Sequence, residues 1–332
     1  MPNRRKEEEF GFLPRAMTAL PPAPSVIAPL TPAFDRVKRV LFQPFDVGRW
    51  MVIGFCAWLA TLGQGGGGFN FNYGFDDRRR GREVFEEARQ FVVENLAWLI
   101  PVVILALLLI IAIGLVLTWL SSRGRFMFLH CVRENVAEVQ APWTRFGPHG
   151  DSLFLFRVIL GLISLGLILP AVVGGVLVIL RLVRSDVPGV LPVLGAIALV
   201  LLVIVLSLAF AIVGKLTTDF VVPIMTLRHT RCLEGWREFG ALLKLYPGVF
   251  AVYLLFQLAI HLVIGVVVFA LVLLTCCCAG CLLAIPYLGT VLYLPVLVFH
   301  RAYSLHFLAQ FGPDYDLIPP PPVDGESFLP AQ

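Results

Sequence analysis

Polar side chains that could do chemistry are rare within the long apolar stretches of this chain. Gln257 and His261 lie four residues apart, a spacing that places both side chains on one face of a helix. Such a pair could relay a proton or contact a substrate. It could instead tie neighbouring helices together through hydrogen bonds, with Thr290 as a third member, at about 1 kcal/mol or less per bond. We favour the second interpretation, because the sequence shows no charged partner for the pair.

Histidines recur just after every second apolar stretch, at His130, His229, His300 and His306. Around a pseudo-threefold axis they would converge with three nearby arginines, Arg133, Arg231 and Arg301. A ring of this kind would suit a phosphate or lipid headgroup, and a histidine cluster could bind a metal. The histidines lack the regular spacing of a metal motif, so we interpret them as surface residues near anionic headgroups.

Two further motifs carry weak chemical signals. Cys276, Cys277, Cys278 and Cys281 form CCCAGC, which has one CxxC but no second pair to complete a zinc site. A disulfide is an alternative, and small apolar packing residues are the interpretation we favour. Gly65 to Gly68 could offer backbone N–H groups to an anion or form a re-entrant turn, but no Lys-Ser or Lys-Thr follows. We interpret the glycine run as a linker or tight turn.

The chain shows no catalytic constellation, and we expect neither an enzyme nor a cofactor or metal.

The composition is that of a membrane protein. Of 332 residues 58% are hydrophobic and 14% are charged, and the deficit of charge is concentrated in long charge-free blocks. The net charge of +4 is modest, and the basic residues adjoin apolar blocks instead of forming a stripe of their own. We therefore expect membrane lipids as partners, with a protein partner or a second copy as a further option, and no nucleic acid.

The apolar blocks predict an all-α polytopic bundle of six transmembrane helices arranged as three hairpins. The predicted spans are 47–62, 95–120, 153–182, 190–213, 248–275 and 282–299. They lie in a domain of residues 32–311, between a disordered tail at 1–31 and a Pro-rich disordered tail at 312–332. Met17 is an alternative to Met1 as the start.

Each hairpin is introduced by a basic segment that we expect to lie in the cytoplasmic headgroup plane as an amphipathic helix. The clearest is RHTRCLEGWREFGALLKLYPGVFAVYLLFQLAIH, residues 228–261, with looser counterparts at 34–55 and 143–164. In the segment 34–55, Phe34, Val37, Val40, Leu41 and Phe45 share one helical face. The predicted headgroup contacts are Arg36, Lys38, Arg39, Arg49, Trp50, Arg133, Trp143, Arg228, Arg231, Trp236, Arg237 and Arg301.

The positive charges predict the orientation of the chain. Nineteen Lys and Arg residues flank the spans on the side of the two termini, and seven lie on the other side, five of them after the glycine run. By the positive-inside rule both termini are cytoplasmic. We expect a multi-pass protein of the bacterial inner membrane.

Three segments carry a resemblance to a known class: PFDVGRWMVIGFCAWLATLGQGGGGFNFN, DFVVPIMTLRHTRCLEGWREFGALLKLYPGVFAVYLL and HRAYSLHFLAQFGP. They resemble uncharacterised bacterial six-helix membrane proteins and the membrane portion attached to some glycerophosphodiester phosphodiesterases, over residues 33–313. The sequence shows no counterpart of the catalytic domain of those enzymes, so the resemblance does not imply hydrolytic activity.

Our leading hypothesis is a non-enzymatic protein that organises lipid or a partner complex at the cytoplasmic leaflet. A transporter or channel for a lipid-like or small neutral solute is the alternative, and a membrane-embedded enzyme comes third.

Overall fold

A computed structural model describes residues 24–63, 94–184, 190–275 and 278–318 of the protein. The predictions for the glycine run, for Cys276 and Cys277 and for the outer parts of both tails lie outside these residues. In the described part of the chain the regular structure is entirely helical, which confirms the all-α class.

Twelve helices follow one another along the described residues. They are α1 (Leu30–Val37), α2 (Val47–Thr61), α3 (Leu96–Glu134), α4 (Gln140–Arg145), α5 (Gly147–Arg184), α6 (Val190–Leu216), α7 (Val222–Arg228), α8 (Cys232–Leu245), α9 (Pro247–Leu274), α10 (Cys278–Ala284), α11 (Pro286–Leu292) and α12 (Leu294–Ala309). Two five-residue π-helical segments interrupt this order, Lys38–Phe42 after α1 and Thr217–Val221 between α6 and α7.

Four of these helices are long and apolar enough to cross a membrane: α3, α5, α6 continued by α7, and α9. The pair α11 and α12 would make a fifth crossing, bent by 62° between its halves. Helix α2, which covers the predicted first span, has 15 residues and a length of about 22 Å at 1.5 Å per residue, short of the roughly 30 Å of a hydrocarbon core.

The long helices expose their apolar surface almost completely. Every residue of α3 from Pro101 to Val116 is exposed, so no face of that segment packs against another described helix. In the most apolar 18-residue stretch of α6 no residue is buried, and in the corresponding stretches of α5 and α9 the buried residues make up 6% of the stretch. A helix that is apolar on all sides is stable in lipid, where hydrocarbon replaces protein neighbours. The chain is therefore built as a multi-pass membrane protein.

Nearly all buried residues lie at one end of these spans, in what we call the core. The core contains the last turns of α3, the π-helical segment with α7, the start of α9 and most of α12. Aromatic rings fill its centre, where Phe220 contacts Phe239, Phe250, Tyr253 and Phe307 with ring centroids 4.9–5.9 Å apart. The connection between the predicted spans 190–213 and 248–275 thus includes some of the most buried residues of the fold, among them Phe220, Val221 and Met225.

The helix that contains the second predicted span extends beyond that span. Helix α3 continues without a break beyond Leu120 to Glu134 and stops where Asn135 adopts a left-handed conformation (φ 59°), which asparagine tolerates better than most residues. The polar run SSRGR lowers the hydropathy after Leu120 but does not disfavour a helix. These residues face protein instead of lipid, and Ser121 donates to the carbonyl of Ala60 in α2 at 3.0 Å.

The packed part of the chain also extends past the predicted domain limits at 32 and 311. Ser25 and Gln310 exchange two hydrogen bonds of 2.7 and 2.9 Å, and the Tyr303 hydroxyl donates to the carbonyl of Val26. After a 3-10 turn at Pro313–Tyr315, Leu317 and Ile318 are buried. Residues 24–31 and 312–318 therefore belong to the fold, not to the tails.

Candidate functional site

The π-helical segment Thr217–Val221 positions the most polar part of the core. A π-helical turn accommodates one residue more than an α-helical turn and is often found at functional sites. Here it turns Asp219 inward, where its side chain is 8% exposed. Lys215, four residues earlier, reaches Asp219 with its ammonium 2.9 Å from Oδ2.

A continuous hydrogen-bonded chain, which we call the polar row, leads from this carboxylate along α9. The Tyr253 hydroxyl donates to Asp219 Oδ2 at 2.9 Å, and Gln257 Nε2 donates to the same hydroxyl at 3.0 Å. Gln257 Oε1 lies 3.0 Å from His300 Nδ1 on α12. Tyr253 and Gln257 are one helical turn apart and both buried, so the helix period aligns them.

Two histidines end the polar row, and their acceptors define their tautomers. His300 Nδ1 faces an amide oxygen, and His261 Nδ1 lies 2.7 Å from the backbone carbonyl of Gln257. Both oxygens only accept, so each Nδ1 carries the hydrogen of its contact. The rings stack with centroids 4.2 Å apart, His261 on the exposed side and His300 Nε2 buried without a partner.

Three arginines, the arginine cluster, surround the other side of the π-helical segment. Arg125 Nη1 donates to Thr218 Oγ1 at 2.8 Å, and Arg301 Nη1 donates to the Thr218 carbonyl at 2.7 Å. Arg157 Nη1 lies 3.1–3.3 Å from Ser121 Oγ, Ser122 Oγ and the Thr118 carbonyl of α3. Arg157 therefore binds the neighbouring helix.

The structure brings Gln257 and His261 together as predicted, and it adds the partners that the sequence did not reveal. Thr290 is not among them, since its hydroxyl donates to Pro286 within its own helix. Asp219 is the signal that could have been used, as an isolated acid in the apolar run DFVVP. Tyr253, one turn before Gln257, was a second signal. His300 and the arginines come from distant helices, and no local spacing predicts them.

Two of the predicted headgroup contacts are wrong. Arg301 is buried in the arginine cluster, and Arg36 is 5% exposed. Arg36 donates Nε to the Val132 carbonyl at 2.9 Å and Nη2 to the Arg133 carbonyl. Burial, with Arg39 nearby, lowers the pKa of Arg36 to about 10, so it stays charged at neutral pH. It caps the C-terminal end of α3, where carbonyls lack partners within the helix.

Several other predicted contacts bind neighbouring protein groups. Arg49 donates to the carbonyl and side chain of Asn135, and Trp50 Nε1 donates to the Leu41 carbonyl at 2.7 Å. Arg39 lies 3.4 Å from the Asp35 carbonyl, and Arg133 pairs with Glu134 at 3.1 Å. Trp236 packs on Phe156 and Phe239.

The remaining predicted contacts lie at the surface of the core. Arg231, Arg237 and Lys38 are exposed, and Arg228 is exposed while paired with Glu238 at 3.2 Å. Trp143 is half-buried, and the Arg123 guanidinium lies over its ring and over that of Trp119, at 5.2 and 4.4 Å.

The histidines do not form the predicted ring. His149 and His229 approach with ring centroids 5.9 Å apart, and His130 packs on Phe146, whereas His300 pairs with His261 in the polar row. Within the described ranges, no group of three His, Cys, Asp or Glu residues is placed to hold a metal ion. The sequence also gave no signal for Cys56 and Cys131, two buried thiols with sulfur atoms 3.8 Å apart.

These features define an all-helical, multi-pass membrane protein with a polar core at one end of its spans. The chain belongs to a family of unknown function, DUF7544, whose profile matches residues 25–292. No curated protein and no solved structure matches it. The family match does not bear on the resemblance to the membrane portion of glycerophosphodiester phosphodiesterases, which stays a prediction.

Proposed function

We propose that this protein is a non-enzymatic integral membrane protein that organises lipid at the leaflet facing its core. The observation that carries this proposal is the exposure of Pro101 to Val116 of α3 on every face. Although α5 and α6 pack against each other, few residues in the apolar windows of α5, α6 and α9 are buried, so much of the apolar surface of the spans has no protein neighbour. Acyl chains then cover this surface.

An apolar groove beside the core supports the same role. The groove has a volume of about 490 Å³ and lies between α1, α9 and α12. It is lined wholly by apolar side chains, among them Phe34, Phe256, Ile260, Val263 and Phe299. Because it opens on the lipid-facing surface of α9, a lipid acyl chain is the occupant that we propose for it.

The surface of the core supplies the headgroup contacts. We propose that α8 lies in the interface as an amphipathic helix, with Arg231 and Arg237 exposed to anionic headgroups. Basic residues near a negatively charged leaflet contribute about 1 kcal/mol each. In this arrangement α2 and the bent pair of α11 and α12 complete six crossings, and both termini and the core face the bacterial cytoplasm.

Spin-labelled lipids test the proposal in reconstituted vesicles. We expect the wild-type chain to restrict the motion of a spin-labelled phosphatidylglycerol more than that of the matching phosphatidylcholine. Replacing Arg228, Arg231 and Arg237 together by alanine should lower this preference at least about fivefold, the effect of one such charge. Equal restriction of both lipids by the wild type, or an unchanged preference in the variant, would count against the proposal.

The polar row favours transport of a lipid-like or small neutral solute as a second candidate. Gln257 and His261 would line the path, and His261, stacked on His300, lies at its exposed end. In that case vesicles containing the protein should release an encapsulated neutral solute, and His261→Ala should slow the release. The same His261→Ala variant should leave the lipid preference unchanged if the protein organises lipid only.

A further inference from the structure

Two buried arginines from different helices meet at one residue of the π-helical segment. Arg125 of α3 is 4% exposed and Arg301 of α12 is 6% exposed. Their Nη1 atoms bond the hydroxyl and the carbonyl of Thr218, so both guanidinium groups lie within hydrogen-bonding reach of a single residue. Like charges placed this close repel each other unless an anion lies between or beside them.

The charges around this point do not balance. Arg125 interacts electrostatically with Arg157 and Arg301, and Asp219 is the one carboxylate in the described part of the chain that acts on either Arg125 or Arg301. Asp219 already accepts from Tyr253 and pairs with Lys215. Arg125, Arg301 and Lys215 therefore share one carboxylate, and Arg157 adds a fourth positive charge near Arg125. Because a protein interior does not replace the water lost by a buried ion, an excess of buried positive charge is unfavourable without a further anion.

Arg125 also has an unused donor. Its Nε is fully buried and has no partner among the described residues, while Nη1 is held by Thr218. A guanidinium presents its N–H groups as a planar fork that matches two oxygens of a phosphate, which a lysine ammonium does not. The unpartnered Nε of Arg125, the neighbouring Arg301 and the excess of positive charge all favour an anion with several oxygen atoms.

We propose that Arg125 and Arg301 bind a phosphate group at the π-helical segment, with Arg157 and Lys215 adding to the positive potential. The phosphate is either free in solution or part of a lipid headgroup. This inference goes beyond the proposed function, because that role is carried by the exposed spans and the surface arginines and does not use this buried cluster.

Thermal unfolding of the detergent-solubilised full chain tests the site with inorganic phosphate as the probe. We expect phosphate to raise the Tm of the wild type more than chloride does at equal ionic strength. Arg125→Gln should weaken the apparent phosphate affinity at least about tenfold, because it removes both charge and fork. Arg145→Gln, which removes an exposed charge at the end of α4, should respond like the wild type.

A second arm identifies the source of the phosphate. Native mass spectrometry would compare retention of phosphatidic acid with that of a diacylglycerol with the same chains, which differs by the phosphate alone. A response to inorganic phosphate indicates that the free anion suffices. Preferential retention of phosphatidic acid, lost in Arg125→Gln and without a Tm response to inorganic phosphate, indicates a headgroup.

Two outcomes would overturn the inference: a wild type that responds to neither probe beyond its control, or an Arg125→Gln variant that responds as strongly as the wild type. Should Arg125→Gln fail to fold, Arg301→Lys takes its place, since it keeps the charge and removes the fork. Failure of this site would leave the lipid preference measured with spin labels intact, so it is distinguishable from failure of the proposed function.

Discussion

At the scale of single residues, Arg36 illustrates how one helix of the core secures the end of another. The sequence assigns it to the polar face of a surface helix, together with Lys38 and Arg39. The structure instead turns it inward, where its guanidinium satisfies the carbonyls of Val132 and Arg133 at the end of α3. A cation at this position also interacts favourably with the negative end of the helix dipole.

Loss of the Arg36 cap should destabilise the core. Arg36→Gln is expected to lower the free energy of unfolding by about 2–3 kcal/mol, because hydrogen bonds to a charged group are lost and two buried carbonyls lose their partner. Lys38→Gln is the matched control, since the Lys38 side chain is 65% exposed and its removal should change stability by about 0.5 kcal/mol or less. Thermal unfolding in detergent measures both, and equal Tm values would contradict the assigned role of Arg36.

At the scale of elements, the packing of α2 on α3 depends on Gly124. A Cβ at this position would lie 2.6 Å from the backbone nitrogen of Ala60 and 2.6 Å from the carbonyl carbon of Leu59, closer than atoms in proteins approach. The two backbones therefore touch at Gly124, and the hydrogen bond from Ser121 to Ala60 lies one turn away. Close approach at a small residue is a common way for helices to associate in membranes.

Alanine at Gly124 should separate the two helices. We expect Gly124→Ala to cost about 1–3 kcal/mol, because backbone atoms cannot move aside as the end of a flexible side chain can. Gly114→Ala in the same helix meets nothing within 4 Å and should be neutral or slightly stabilising, since alanine favours a helix over glycine by roughly 1 kcal/mol. The difference between the Tm values of the two variants measures the effect of the contact between Gly124 and α2. An equal effect of both substitutions would contradict a role for this contact.

The helices also show which features of the fold can be predicted from the sequence. Blocks of apolar residues are sufficient to predict the long helices, since a span needs only length and hydropathy. They do not reveal that α3 continues from Ser121 to Glu134, because a helix that leaves lipid and enters protein keeps its period while its composition becomes polar. The candidate site likewise has one part that the sequence predicts and another that it does not. Gln257 and His261 follow from helical spacing, whereas the meeting of Arg125 and Arg301 at Thr218 depends on three helices packed in space.

At the scale of the whole molecule, the core and the far ends of the spans should face opposite sides of the membrane. Helix α6 runs 27 residues, about 40 Å, from Val190 to the core at Leu216. Leu191, near its far end, is 82% exposed, and Arg237 is exposed on α8 at the core. Labelling at these two positions therefore reports on the sidedness of the chain.

A membrane-impermeant maleimide provides the measurement in intact bacterial cells. In a background where Cys276, Cys277, Cys278 and Cys281 are serine, Leu191→Cys should react and Arg237→Cys should react only after the cells are opened. The reason is that the positive-inside rule predicts a cytoplasmic location for the arginine-rich core. The opposite pattern would invert the orientation, and labelling of both positions from one side would contradict the arrangement of the spans.

The π-helical segment at Thr217–Val221 has a consequence for how the chain tolerates insertions and deletions. Its five residues hold one more than a regular turn, so deleting a single residue there would restore an ordinary helix without breaking it. Because the remaining four residues still complete about one turn, α6 and α7 would keep nearly the same relative orientation. The change would be local, at the turn where Thr218 contacts Arg125 and Arg301. A one-residue deletion at this point would thus alter the interior of the core and leave the arrangement of the spans in place.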